Sequence, residues 1–210
     1  MLMIIACITM LIDHIGGYIL SVPAMRIIGR FAMPIYAYFM AGSFEHTRDR
    51  KRYLKKVLCI VVVSQIPYMI MVESVKFNIC FTWTISILVL MCIETAKSSW
   101  DKNIALIVLL LTGSCIIPMD YGIFAVVWVI LFYYRCRIKG IRGNALLIIG
   151  AVLNYCIWNI PRQFAGLLAI PVIIICEKYD HVRLKNKCAA KLYRIFYPLH
   201  MTIIDICKLI

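Results

Sequence analysis

The sequence predicts an all-α, polytopic integral membrane helix bundle of about nine transmembrane helices, with a cytoplasmic N-terminus. Three observations predict it. Hydrophobic residues make up 63% of the 210 residues, with a mean hydropathy of +0.89, whereas soluble domains run at roughly 45–50% apolar. A chain this short has too little interior to hide so much apolar surface from water. Charged residues fall to 16%, against about 25% in soluble proteins, and the 23 Lys and Arg residues gather in a few short polar stretches between apolar runs. A water-soluble enzyme, a secreted disulfide scaffold and a disordered tail are thereby excluded, and residues 1–210 read as a single domain. The formal net charge of +13 follows from the loops of a polytopic protein, so no nucleic-acid partner is expected. The ten cysteines are scattered singly. Most of them, such as Cys59, Cys80, Cys92, Cys156, Cys176 and Cys207, lie inside apolar runs, where Cys behaves as a small hydrophobe. Metal-ligand spacing is absent and no metal is expected.

A bilayer core of about 30 Å needs roughly 17–25 apolar residues per helix, and the polar punctuation marks out the spans in order. The first, 2–20, lacks the basic leader and small-residue cleavage site of a signal peptide and reads as a spanning helix. The others are 26–45, 54–72, 79–95, 103–118, 120–135, 144–159, 163–177 and 193–210. Several are short for a straight crossing, so tilted or incomplete helices are expected. Pro118-Met119-Asp120-Tyr121-Gly122 and Asn159-Ile160-Pro161-Arg162 read as tight turns. Pro34, Pro67 and Pro171 fall within apolar runs, where each removes a helix hydrogen bond and is expected to kink its span. The loops 46–56, 96–103, 135–143 and 178–194 hold eighteen of the 23 basic residues. Placing them in the cytoplasm satisfies the positive-inside rule at every loop and sends the C-terminal end outside.

Against this apolar background the ionisable groups inside the spans stand out. One such group at a helix centre costs about 2.5–3.5 kcal/mol on insertion scales and is rarely kept without a partner or a task. Asp13 and His14 lie in the first span, Arg30 in the second, and His200 in the last, with Asp205 nearer the outer end. Adjacent helical residues point about 100° apart, so Asp13 and His14 face different neighbours. Asp13 has a partner within reach in Arg26 or Arg30, which share one helix face at i, i+4 spacing. A neutral His14 titrates near physiological pH and can accept a proton from a nucleophile. His200 reads equally as a catalytic partner or as a packing histidine.

These residues sit in a pattern. Met10-Leu11-Ile12-Asp13-His14-Ile15-Gly16 is followed by Arg26-Ile27-Ile28-Gly29-Arg30-Phe31-Ala32-Met33-Pro34-Ile35-Tyr36-Ala37. Downstream come Ser64-Gln65-Ile66-Pro67-Tyr68, Asn78-Ile79-Cys80-Phe81-Thr82, Asp120-Tyr121-Gly122 and Tyr197-Pro198-Leu199-His200. In order and spacing this resembles the TraX family across almost the whole chain. The resemblance implies a multi-pass acyltransferase of the bacterial inner membrane. It also implies acetyl-CoA as donor, and a pilin-like peptide amine or an envelope-glycan hydroxyl as acceptor. It further implies that His14 is the essential histidine. On the residues themselves, Asp13 and His200 are candidate catalytic partners, and Arg26, Arg30 and Tyr121 are candidates for donor binding. Arg30 or Tyr121 can also stabilise the oxyanion formed on the thioester carbonyl. In the wider class of transmembrane acyltransferases a basic residue precedes the essential histidine in the first helix, and Met3 holds that position here. The rival readings are a small polytopic transporter, or a non-enzymatic assembly factor, that uses Asp13, His14 and Arg30 as a polar relay.

Overall fold

The structure is a computed structural model that describes residues 1–96, 100–138, 140–158, 161–179 and 187–209. The expected turn at Asn159-Ile160, the loop histidine His181 and the loop cations Lys97, Lys139, Arg183 and Lys185 lie outside the described residues. Among those described the chain is all-α, with ten α-helices, one 3-10 helix and a lone β-bridge between Phe77 and Met119. The helices are α1 (Leu2–Tyr18), α2 (Pro23–Gly29), α3 (Ala32–His46), α4 (Arg50–Val72), α5 (Ile79–Thr95) and α6 (Trp100–Ile116). They continue with α7 (Gly122–Ile138), α8 (Gly140–Trp158), the 3-10 helix η1 (Pro161–Leu168), α9 (Ala169–Tyr179) and α10 (Lys187–Leu209).

Two expected spans are broken, and prolines explain where. The 26–45 segment divides at Arg30 and Phe31, so that Pro34 falls in the first turn of α3. There its missing N–H would have had no helical acceptor in any case. The 163–177 segment divides in the same way. Its first half is the 3-10 helix, and Pro171 is the third residue of α9. Pro34 and Pro171 thus start helices, where a kink within a continuous span was expected. Pro67 does lie inside α4, and Pro198 inside α10.

By length and composition α4 and α8 can each cross a membrane, and 2–18, 79–95, 102–116 and 163–177 form shorter apolar helices. The two long helices present apolar side chains outward. Val62, Val63, Ile66 and Ile70 of α4 are exposed, as are Ile148, Ile149, Leu153 and Ile157 of α8, with Val62 at 71% and Ile157 at 73%.

The chain forms two compact units. One comprises Met1–Tyr36, Ile66–Glu73 and Ile148–Ile210, and the other comprises Ala37–Gln65 and Ser74–Leu147. The first is centred on Tyr68, Met71, Met201 and Ile204, with Leu11, Tyr18, Val72 and Tyr197 packed against them. In this unit α1 and α2 approach closely at glycines, each of which lies against a side chain of the other helix. A Cβ on Gly16 would strike Met25, and one on Gly29 would strike the Asp13 side chain.

In the second unit Ile85, Val89 and Val126 form a core, and Asn78 organises one end. Its side-chain oxygen accepts from the backbone N–H groups of Cys80 and Phe81, capping α5. Its amide donates to the Val61 carbonyl and the Ser64 hydroxyl, while its own N–H donates to Gln65. The turn ahead of α7 is tied in by the Thr82 hydroxyl, which donates to the Asp120 carbonyl at 2.8 Å. The Ser64-Gln65, Asn78 and Asp120 motifs are therefore one structural knot. In the same unit Arg50 pairs with Glu94, and Arg137 joins Glu94 to Glu45. The Arg50 guanidinium lies over Phe44 and that of Arg137 over Tyr133. These two arginines tie the ends of α3, α4, α5 and α7 together, a task that the positive-inside count does not reveal.

Candidate active site

The first unit brings five of the six expected site residues into one neighbourhood on α1, on α2 and its C-cap residue Arg30, and on α10. Tyr121 belongs to the second unit, in the turn before α7, where it takes a left-handed backbone conformation at φ 60°.

On α1 the two polar residues part company, as their angular separation requires. Asp13 is buried against α2. Its Oδ1 accepts from Arg30 Nη2 at 2.5 Å, and Arg26 Nε stands 3.7 Å away. Arg30 Nε also donates to the Arg26 carbonyl at 2.8 Å. Asp13 and Arg30 are 8% and 7% exposed, so this charge-assisted pair is closed off from solvent. Gly29 makes the pair possible, since any side chain there would occupy the space of the Asp13 carboxylate.

His14 turns the other way, toward α10. Its Nδ1 lies 2.8 Å from His200 Nε2, and the two ring planes are within 10° of each other. His200 Nδ1 lies 2.8 Å from the Phe196 carbonyl oxygen. That second contact fixes the direction of the first. A carbonyl can only accept, so His200 Nδ1 carries a proton, and Nε2 of the neutral ring is then an acceptor. His14 Nδ1 must therefore be the donor to it, which leaves the lone pair of the neutral imidazole on His14 Nε2. Among the described residues that nitrogen has no hydrogen-bond partner, and the His14 side chain is half-buried while His200 is buried. The result is a basic nitrogen with a defined tautomer, held by a second histidine that is itself held by the backbone.

Aromatic rings enclose the pair. Tyr18 meets His14 edge-on, and Phe196 and Tyr197 lie against His200. One turn beyond His14, the Tyr18 ring faces two cations, Arg26 at 5.6 Å and Lys208 at 5.7 Å. Lys208 donates to the Met71 carbonyl and to Glu73 at 2.7 Å, and its ammonium holds the exposed Glu73 carboxyl below its ordinary pKa. Asp205 is buried elsewhere on α10, and its Oδ1 lacks a hydrogen-bond partner among the described residues. Sequence reasoning passed over Tyr18, Lys208 and the glycines Gly17 and Gly29. The glycines carried a readable signal, because a glycine inside an apolar run marks a close approach.

The site thus defines an all-α protein with a hydrogen-bonded histidine pair beside a buried carboxylate–guanidinium pair. The chain matches the family model described as TraX protein over residues 1–208, and it belongs to the TraX family. A similar protein is a probable fimbrial assembly protein FimC, serogroup H1, from Dichelobacter nodosus. It is 29% identical over 238 residues, an alignment covering 99% of this chain and 94% of the relative. No solved structure matches the chain.

Proposed function

We propose that this protein is a multi-pass acetyltransferase of the bacterial inner membrane that moves an acetyl group from cytosolic acetyl-CoA to an amine or hydroxyl acceptor. The observation that carries the reading is the directed chain from the Phe196 carbonyl through His200 to His14, which leaves His14 Nε2 as an available base. The outward apolar faces of α4 and α8 support the membrane setting, since contiguous apolar surface of that extent calls for an apolar solvent.

In this reading His14 Nε2 takes the proton from the acceptor N–H or O–H as the new C–N or C–O bond forms and the C–S bond of the thioester breaks. The proton then leaves on the CoA sulfur, which restores the neutral ring. His200 keeps His14 in the reactive tautomer. Asp13 and Arg30 neutralise each other and fix α1 against α2, so that the base has a constant position. The phosphates of the donor call for cations, which the loops assigned to the cytoplasm by the positive-inside count hold in excess. The acceptor is a pilin-like peptide amine or an envelope-glycan hydroxyl, and membership of a family with a fimbrial-assembly relative supports an extracellular-appendage setting.

The test uses detergent-purified protein with radiolabelled acetyl-CoA, following CoA release and label on the protein. A positioned general base contributes on the order of 10²–10⁴-fold, and His14→Ala is expected to lose that factor. Release that persists unchanged in His14→Ala sinks the reading. The relative's name favours one alternative, a non-enzymatic assembly factor, and that alternative gains if the wild type neither binds nor cleaves acetyl-CoA.

A further inference from the structure

The charge arithmetic around Asp13 does not close. One carboxylate faces two guanidiniums, and Arg30 takes it at 2.5 Å, leaving Arg26 at 3.7 Å with 34% of its side chain exposed. Lys208 has Glu73, whereas Arg26 shares the Asp13 carboxylate with Arg30. Its guanidinium N–H groups make no hydrogen bond within the described residues beyond that long approach to Asp13. Yet its position is built. Gly17 leaves room for the guanidinium to lie against α1, because a Cβ there would strike Arg26 Nη1. The Tyr18 ring lies 5.6 Å from the guanidinium carbon, and the same ring meets His14 edge-on. Because Arg26 shares its one carboxylate with Arg30, its remaining guanidinium donors can meet an incoming anion.

We propose that Arg26 anchors the acceptor by binding an anionic group, phosphate or carboxylate, that the acceptor carries near its nucleophile. The proposal rests on His14 as the base. Gly17 lies one helical turn from His14, roughly 5 Å along the axis, so the anionic group and the reacting amine or hydroxyl are separated by only a few bonds. Arg26 lies against the end of α1 that the loop charges assign to the outer face. An acceptor arriving from outside meets it first.

Two matched acceptor pairs test this in the full-length protein with saturating acetyl-CoA: glucosamine 6-phosphate against glucosamine, and Ala-Glu amide against Ala-Gln amide. In at least one pair the anionic member is expected to have a KM lower by about tenfold or more, the scale of one charge-assisted hydrogen bond. The pair that responds distinguishes phosphate from carboxylate. Arg26→Gln should erase the preference and Arg26→Lys should restore part of it. Gly17→Ala should also erase it, since it keeps the charge and displaces the guanidinium. Without turnover, inorganic phosphate at constant ionic strength should raise the melting temperature of the wild type but not of Arg26→Gln. Equal KM values within both pairs overturn the proposal. So does a phosphate-independent melting temperature, or a rise in KM for acetyl-CoA in Arg26→Gln. CoA release that survives His14→Ala is a separate failure, that of the base.

Discussion

At the scale of single residues, the Phe196 carbonyl fixes the tautomer of His14, although it touches that ring only through His200. A neutral imidazole has two tautomers, and only the one with its lone pair on Nε2 presents a base to a ligand. Replacing His200 should therefore act through tautomer and orientation. His200→Leu removes the acceptor for His14 Nδ1 and is expected to lose a large part of the roughly 10²–10⁴-fold that a positioned base supplies. His200→Gln offers a side-chain oxygen to the same N–H and should recover part of that loss. Steady-state CoA release compared across the two variants checks this, and equal losses would count against a positioning role. Sequence alone identified His14 and His200 as residues out of place in apolar spans. Their meeting was not legible, because 186 positions separate them and no local rule says which spans become neighbours. The Asp13 pairing was legible, because the i, i+4 spacing of Arg26 and Arg30 puts both cations on one face of a helix already adjacent in the chain.

At the scale of elements, the junction of α1 and α2 depends on the absence of side chains. Gly29→Ala pushes a methyl group into Asp13, and overpacking of this kind costs about 1–3 kcal/mol. Gly42 in α3 is the natural comparison, because a Cβ there meets open space. Gly42→Ala should be neutral or stabilising by up to about 1 kcal/mol, since alanine is the better helix former. Unfolding midpoints of the two variants in the same detergent test the contrast, and a Gly29→Ala midpoint at or above that of Gly42→Ala would contradict it. The helix breaks at Arg30–Phe31 and at Leu168–Ala169 show why element boundaries were the weakest part of the sequence reading. Pro34 and Pro171 lie within apolar runs, and hydrophobicity does not record whether a proline sits mid-helix or opens a new one. Asn78 was more readable, since an asparagine immediately before an apolar run is an ordinary N-cap signal.

At the scale of the whole molecule, composition was sufficient for the all-α class, because apolar runs of this length leave the backbone few ways to satisfy its own polar groups. Composition says nothing about the division into two compact units, which arises from contacts between segments as distant in sequence as Met1–Tyr36 and Ile148–Ile210. The histidine chain has a further consequence at this scale, in the bilayer setting proposed above. Bacterial membranes store energy as a proton-motive force, and hydrogen-bonded histidines set across one form a wire through which that force can leak. Here the wire has a stopper. A proton received at His14 can move on to His200, but the next group is the Phe196 peptide carbonyl, which is far too weak a base to take it. Among the described residues the proton can leave only by the way it came. Liposomes carrying the protein should therefore hold an imposed pH gradient as long as empty ones do, and a faster collapse would show that a second exit exists. Such a site can exchange protons with its substrates while the membrane around it stays charged.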